Sequence, residues 1–179
     1  MEIIDQFLVE ETWQEIAMYH AQKMISEGKR MAKLRPDLVG FMVEFSKDLS
    51  QDARELAMYI AYVIFRIFEK AGNGSKALSP EKIVKIYDEN LDWIEKMTVI
   101  DDRFLARRIE NQKEFHEKYV FQYVLQTLFE NDDDSEDLYI GSEDDEPEIS
   151  DEEKGYIFIL LKTVIDSFSN MEEKSFDSA

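Results

Sequence analysis

Leu56-Ala-Met-Tyr-Ile-Ala-Tyr-Val-Ile-Phe65, closed by Arg66 and resumed by Ile67 and Phe68, decides the fold. A membrane span needs about 20 apolar residues in a row, so this shorter run is a buried helical segment. Ser50 ahead of it can cap a helix, with Asp52 as an acid in the first turn. Gly72-Asn73-Gly74 behind it tolerates the left-handed conformation that ends helices. The pattern predicts a helix over 51–71 that is apolar on almost every side. Such a helix is central in its fold.

Outward from this segment, apolar residues recur at steps of three and four, the helical period. Upstream, Ile4, Leu8, Trp13, Ile16, Ala17 and Met24 predict one helix over 3–27. Gly28 and the cations Lys29, Arg30, Lys33 and Arg35 suit its end, where positive charge meets the negative pole of the helix dipole. Pro36 forces a break or a new start. Leu38, Phe41, Met42 and Phe45 then share a face of a short helix over 37–47.

Downstream, Ser79-Pro80-Glu81 is a strong start signal for a helix reaching about Met97 on Ile83, Tyr87, Leu91 and Ile94. Asp101 can cap a long helix to Glu130 that turns Leu105, Ile109, Phe115, Tyr119, Tyr123 and Leu128 inward. Ser150-Asp-Glu-Glu153 is a capping box for a last helix over 151–170, with Ile157, Leu161, Val164, Ile165 and Phe168. No segment alternates like a strand, and no repeat is evident. The expectation is an all-α, compact bundle of five to six helices, one domain over 1–179, with a frayed tail at 171–179.

Charge divides the chain unevenly. The net −19 comes from 40 acids against 21 bases, and 13 of the 23 residues of 131–153 are Asp or Glu. Self-repulsion over that block opposes compaction, so 131–149 reads as a long acidic, mobile loop before the last helix. So acidic a surface argues against nucleic acid as a partner, because phosphate binding needs clustered Lys and Arg. Met1-Glu-Ile-Ile-Asp-Gln6 has neither a basic leader nor a small-residue cleavage site. With no apolar run of membrane length, the chain is expected in the cytoplasm and away from membranes.

Residues suited to chemistry are few. There is no cysteine, and the two histidines, His20 and His116, fall on apolar stripes where packing is the simpler role. Glu114-Phe-His116-Glu117 begins like a metalloprotease helix, but Val120 stands where the second histidine belongs. Asp132, Asp134, Glu136 and Glu143 occupy calcium-loop positions, yet Asp137 replaces the glycine of the sharp turn. Asp133-Asp134-Ser-Glu-Asp137 spells an aspartate-rich diphosphate motif, in a charged loop where rigid helices are required. No catalytic, cofactor or metal residue is therefore assigned, and no cofactor is expected.

One set of helical carboxylates keeps an enzyme reading open. Asp88, Glu89, Asp92 and Glu95 could face Glu10, Glu11 and Glu15 and hold Mg²⁺, as in all-α hydrolases of nucleoside triphosphates. Solvated helix faces look the same. The basic groups Lys29, Arg30, Lys33, Arg35 and Arg103, Arg107, Arg108 read as an anion site or, more simply, as helix-end charges. Met58, Tyr59, Tyr62, Phe65 and Phe68 read as a ligand pocket or, more simply, as core.

The leading expectation is a non-enzymatic protein–protein interaction module whose acidic loop steers basic surfaces. A small Mg-dependent hydrolase using the first and fourth predicted helices is the alternative, and an acidic mimic of nucleic acid that binds a basic protein is a third. A homodimer is also expected, because one small domain cannot cover every large apolar side chain; Phe41 and Phe45 are the residues expected to stay partly exposed.

Overall fold

The computed structural model describes residues 3–73, 76–96, 117–129 and 149–169. Among them stand seven helices and no strand: α1 (Gln6–Ala17), α2 (Ala21–Leu34), α3 (Pro36–Phe45), α4 (Gln51–Lys70), α5 (Pro80–Glu95), α6 (Lys118–Phe129) and α7 (Asp151–Ser169). The class is all-α, and the count exceeds the five to six expected. None of these helices is long and apolar enough to cross a membrane.

Local chemistry sets most helix ends where the sequence places them. The Ser50 hydroxyl accepts the Ala53 N–H at 3.3 Å, and the Ser79 hydroxyl accepts that of Lys82 at 3.4 Å ahead of Pro80. Gly72 takes φ +84°, a conformation costly for any side chain, and lets the Asn73 N–H close on the Phe68 carbonyl at 2.8 Å. The Ser150–Glu153 box forms in both directions, at 3.2 and 3.3 Å.

α4 and α7 form the centre. Ten residues of α4 and twelve of α7 are buried. α7 packs on α3, α4, α5 and α6, while α4 also receives α1 and α2. Phe68 and Phe168 stack between the two with ring centroids 4.4 Å apart. Each such side chain, once buried, contributes about 1.5–3 kcal/mol by removal from water.

The helix expected over 3–27 is two helices. α1 ends at Ala17, where the N–H groups of Met18 and Tyr19 turn back on the Glu15 and Ile16 carbonyls at 3.2 and 3.0 Å, and His20 adopts extended backbone to cap α2. No Gly or Pro marks this break. Its cause is tertiary, because α1 packs on α4 and α6 whereas α2 packs on α3 and α4, so one straight rod could not serve both. α2 then runs through Gly28 to Leu34, leaving only Lys33 of the basic cluster as a last-turn cation. Phe45 stays partly exposed as expected, whereas Phe41 is buried: the two pack on each other at 4.7 Å and edge-on against Tyr87 at 4.6 and 5.7 Å.

Several expectations fall outside the described residues. They are the helix from 101 up to 116, the acidic segment up to 148 and the tail 171–179.

Candidate functional site

α2, α3 and α4 enclose an open apolar groove of about 570 Å³, lined by Met24, Ile25, Gly28, Met31, Val39, Glu55, Met58, Tyr59 and Tyr62. Helical spacing builds both long walls. Met24, Gly28 and Met31 follow at steps of four and three along α2, and Glu55, Met58 or Tyr59, and Tyr62 do the same along α4. Val39 of α3 adds a third side. Ile25 remains 52% exposed at the mouth. A Cβ placed on Gly28 would meet nothing within 4 Å, so the α2 wall is open there. Burial raises the Tyr59 phenol above its ordinary value, so it stays a neutral donor.

Charged groups add to the buried Met31 in holding α2 against α4. Arg30 of α2 grips Glu69 of α4 through two nitrogens, at 2.6 and 2.8 Å, and reaches Glu27 at 3.0 Å. Tyr62 of α4 donates its hydroxyl to Glu27 at 2.7 Å, and Arg66 binds Glu69. Beside this clasp, Glu15 of α1 accepts from Lys70 and from the Tyr19 hydroxyl, both at 2.6 Å. The Arg30 hydrogen bonds hold the Glu69 carboxyl below its usual range, and those of Lys70 and Tyr19 do the same to Glu15. At Glu27 burial opposes ionisation, and the bonds from Tyr62 and Arg30 outweigh it. Tyr62 is pushed far up by its own burial and by Glu27.

Two further polar clusters sit deep in the fold. Arg35 is fully buried, bound to Asp37 at 2.8–2.9 Å and poised 4.5 Å over the Phe168 ring, with one terminal nitrogen lacking a partner. Asp37 also accepts the Leu78 N–H at 2.9 Å. Lys162 of α7 binds Asn90 of α5 at 2.8 Å and Asp166 at 2.7 Å. Both clusters tie helices together, and neither opens on the groove lining.

The carboxylates considered for a metal are not brought together. Glu10 and Glu11 are exposed on α1, Glu10 accepting from Gln6 at 2.8 Å, while Glu15 serves Lys70. Asp88, Glu89, Asp92 and Glu95 are exposed on α5. α1 packs on α4 and α6, and α5 packs on α3 and α7, so the two sets lie on separate sides of the core. Among the described residues, no group of three or more acidic or histidine side chains could hold a metal ion.

The remaining candidates divide. His20 is exposed and is not a packing residue: its Nδ1 accepts the Lys23 N–H at 3.2 Å, a cap made necessary by the break before α2. Arg30 and Arg35 of the basic cluster are used internally, and Lys29 and Lys33 are exposed. Met58 and Tyr59 line the groove half-buried, Tyr62 lines it while buried in the core, and Phe65 and Phe68 are core alone. The signal that could have found the groove is the matching apolar step in α2, visible only once 3–27 is divided. His116, Arg103, Arg107, Arg108 and the acids of the two loop motifs lie outside the described residues.

No protein family, curated protein or solved structure matches the chain. Its function rests on its own residues.

Proposed function

We propose that this protein is a non-enzymatic helical interaction module that engages a protein partner through the α2–α3–α4 groove. The observation that carries this reading is an open apolar trough with three methionines in its lining, Met24, Met31 and Met58. Methionine is unbranched and polarizable, so such a surface adapts to a partner's side chains without a fixed mould. The excess of acid in 131–153 adds long-range attraction for basic surfaces, raising the rate of encounter more than the final affinity.

A photo-reactive residue at Met58 tests this directly, with one at Asp92 as the control on α5. The expected result is a discrete protein adduct from Met58 and none from Asp92. Equal labelling from both positions would remove the groove from consideration. The hydrolase alternative predicts instead a rise in melting temperature with Mg²⁺ or Mn²⁺ that is lost on replacing Asp88, Glu89 and Asp92 with Asn, Gln and Asn.

A further inference from the structure

We propose that the occupant of the groove is a two-turn amphipathic helix of a basic partner, with apolar side chains at i, i+3 or i+4, and i+7 and a lysine or arginine set against Glu55. This rests on the interaction reading above and names the partner's chemistry. Each long wall spans eight residues, seven steps along the helix, Met24 to Met31 and Glu55 to Tyr62. At a rise of 1.5 Å per residue that is about 10.5 Å, two turns, the length over which a helix presents three anchors.

The walls decide between a helix and an extended peptide. α2 and α4 satisfy their backbone groups internally and present side chains, almost all apolar, to the groove. An extended peptide would lay unpaired N–H and C=O groups against that surface, with no sheet edge to receive them. A helix brings its backbone bonds already made. Gly28 provides the gap through which its axis approaches, since nothing lies within 4 Å of that missing Cβ.

Charge decides between a basic partner and a second copy. Glu55 is the charged member of the lining; its carboxylate accepts from the Gln51 amide at 2.9 Å and stands in no ion pair among the described residues. The lysines of α2 lie outside the lining, with Lys23 directed to Glu27. Two copies of a chain carrying −19 repel each other, whereas a basic helix is attracted.

The test is selection from a displayed library of helical peptides, randomised over four turns, against the intact protein and against Gly28→Trp, which fills the groove. Circular dichroism and melting temperature confirm that the variant folds. Enriched peptides are expected to carry the i, i+3 or i+4, i+7 apolar set with Lys or Arg at one flank, and to lose at least tenfold in affinity against Gly28→Trp. Glu55→Lys should weaken them and favour versions with Glu at that flank. No enrichment, enrichment without the helical period, or binding indifferent to Gly28→Trp would overturn the proposal. So would a wild-type dimer in sedimentation that Gly28→Trp dissociates, or capture of a fatty acid in place of peptides. A discrete adduct from Met58 alongside failed selection would reject the helical occupant and keep the interaction module.

Discussion

α2 and α7 are held in different ways. Twelve of the nineteen residues of α7 are buried, against one of the fourteen in α2, Met31. α7 is fixed by close packing on α3, α4, α5 and α6. α2 is fixed by polar contacts, Arg30 to Glu69 and Tyr62 to Glu27, together with Met31, while Met24 stays half-buried and Ile25 exposed along the groove. An amphipathic helix normally turns its apolar stripe to the core. Here polar contacts share the attachment with Met31, which leaves Met24 and Ile25 only partly covered.

The largest expected effect lies in α7. Phe168→Ala removes a fully buried ring stacked on Phe68 and beneath Arg35, and should cost about 3–5 kcal/mol in denaturant unfolding. Ile25→Ala in α2 should change stability by less than about 0.5 kcal/mol, as for an exposed site. Comparable losses at the two positions would break the contrast.

Arg35, where α2 gives way to α3, is the point at which the polar attachment reaches α7. Asp37→Ala leaves its guanidinium buried without a counter-charge and should cost about 3 kcal/mol. The double variant Arg35→Met, Asp37→Leu should recover most of that loss, since it removes both desolvated charges. If the double variant is no better than the single one, the pair contributes more than mutual compensation.

Acid should loosen α2 before α7. Glu15, Glu27 and Glu69 have folded pKa values below the ordinary glutamate value of 4.5. A depressed folded value means the contribution is complete above that ordinary value and is lost as pH falls through the folded values. Hydrogen exchange in α2 should therefore accelerate below about pH 4.5 while α7 stays protected. Glu69→Gln should weaken the clasp by about 1 kcal/mol at neutral pH and flatten this response. Simultaneous loss of protection in both helices would mean the clasp is not a separate unit.

A small gain sharpens the contrast furthest. Gly28 in α2 and Gly155 in α7 both leave open space at the missing Cβ. Alanine at either should stabilise by about 0.5–1 kcal/mol if the helix is fully formed in solution. A gain at Gly155 without one at Gly28 would show, by thermal melting, that α2 frays.

The apolar run from Leu56 to Phe65 and the caps at Ser50, Ser79 and Ser150 were legible because their partners lie within four residues along the chain. The groove was only half legible. Met58, Tyr59 and Tyr62 stand out in the sequence beside Phe65 and Phe68, but nothing local says which of the five line a groove. The carboxylates of α1 and α5 looked equally able to meet, and the packing order of the helices keeps them apart.

By itself, then, the sequence determined the all-helical class, most helix ends and the central place of α4, because each follows from propensity, period or a cap closed within one turn. Only the tertiary structure decided that α1 and α2 part at Met18–His20, and that Arg30 and Glu27 of α2 meet Glu69 and Tyr62 of α4. It also decided that Glu153, a member of its own helix's capping box, reaches the Ser50 N–H at 2.8 Å and so ties the start of α7 to that of α4. These outcomes depend on residues 39 to 103 positions apart, as in Arg30–Glu69 and Ser50–Glu153. Such contacts arise from the joint packing of several helices, and no short stretch of sequence carries the energy that selects them.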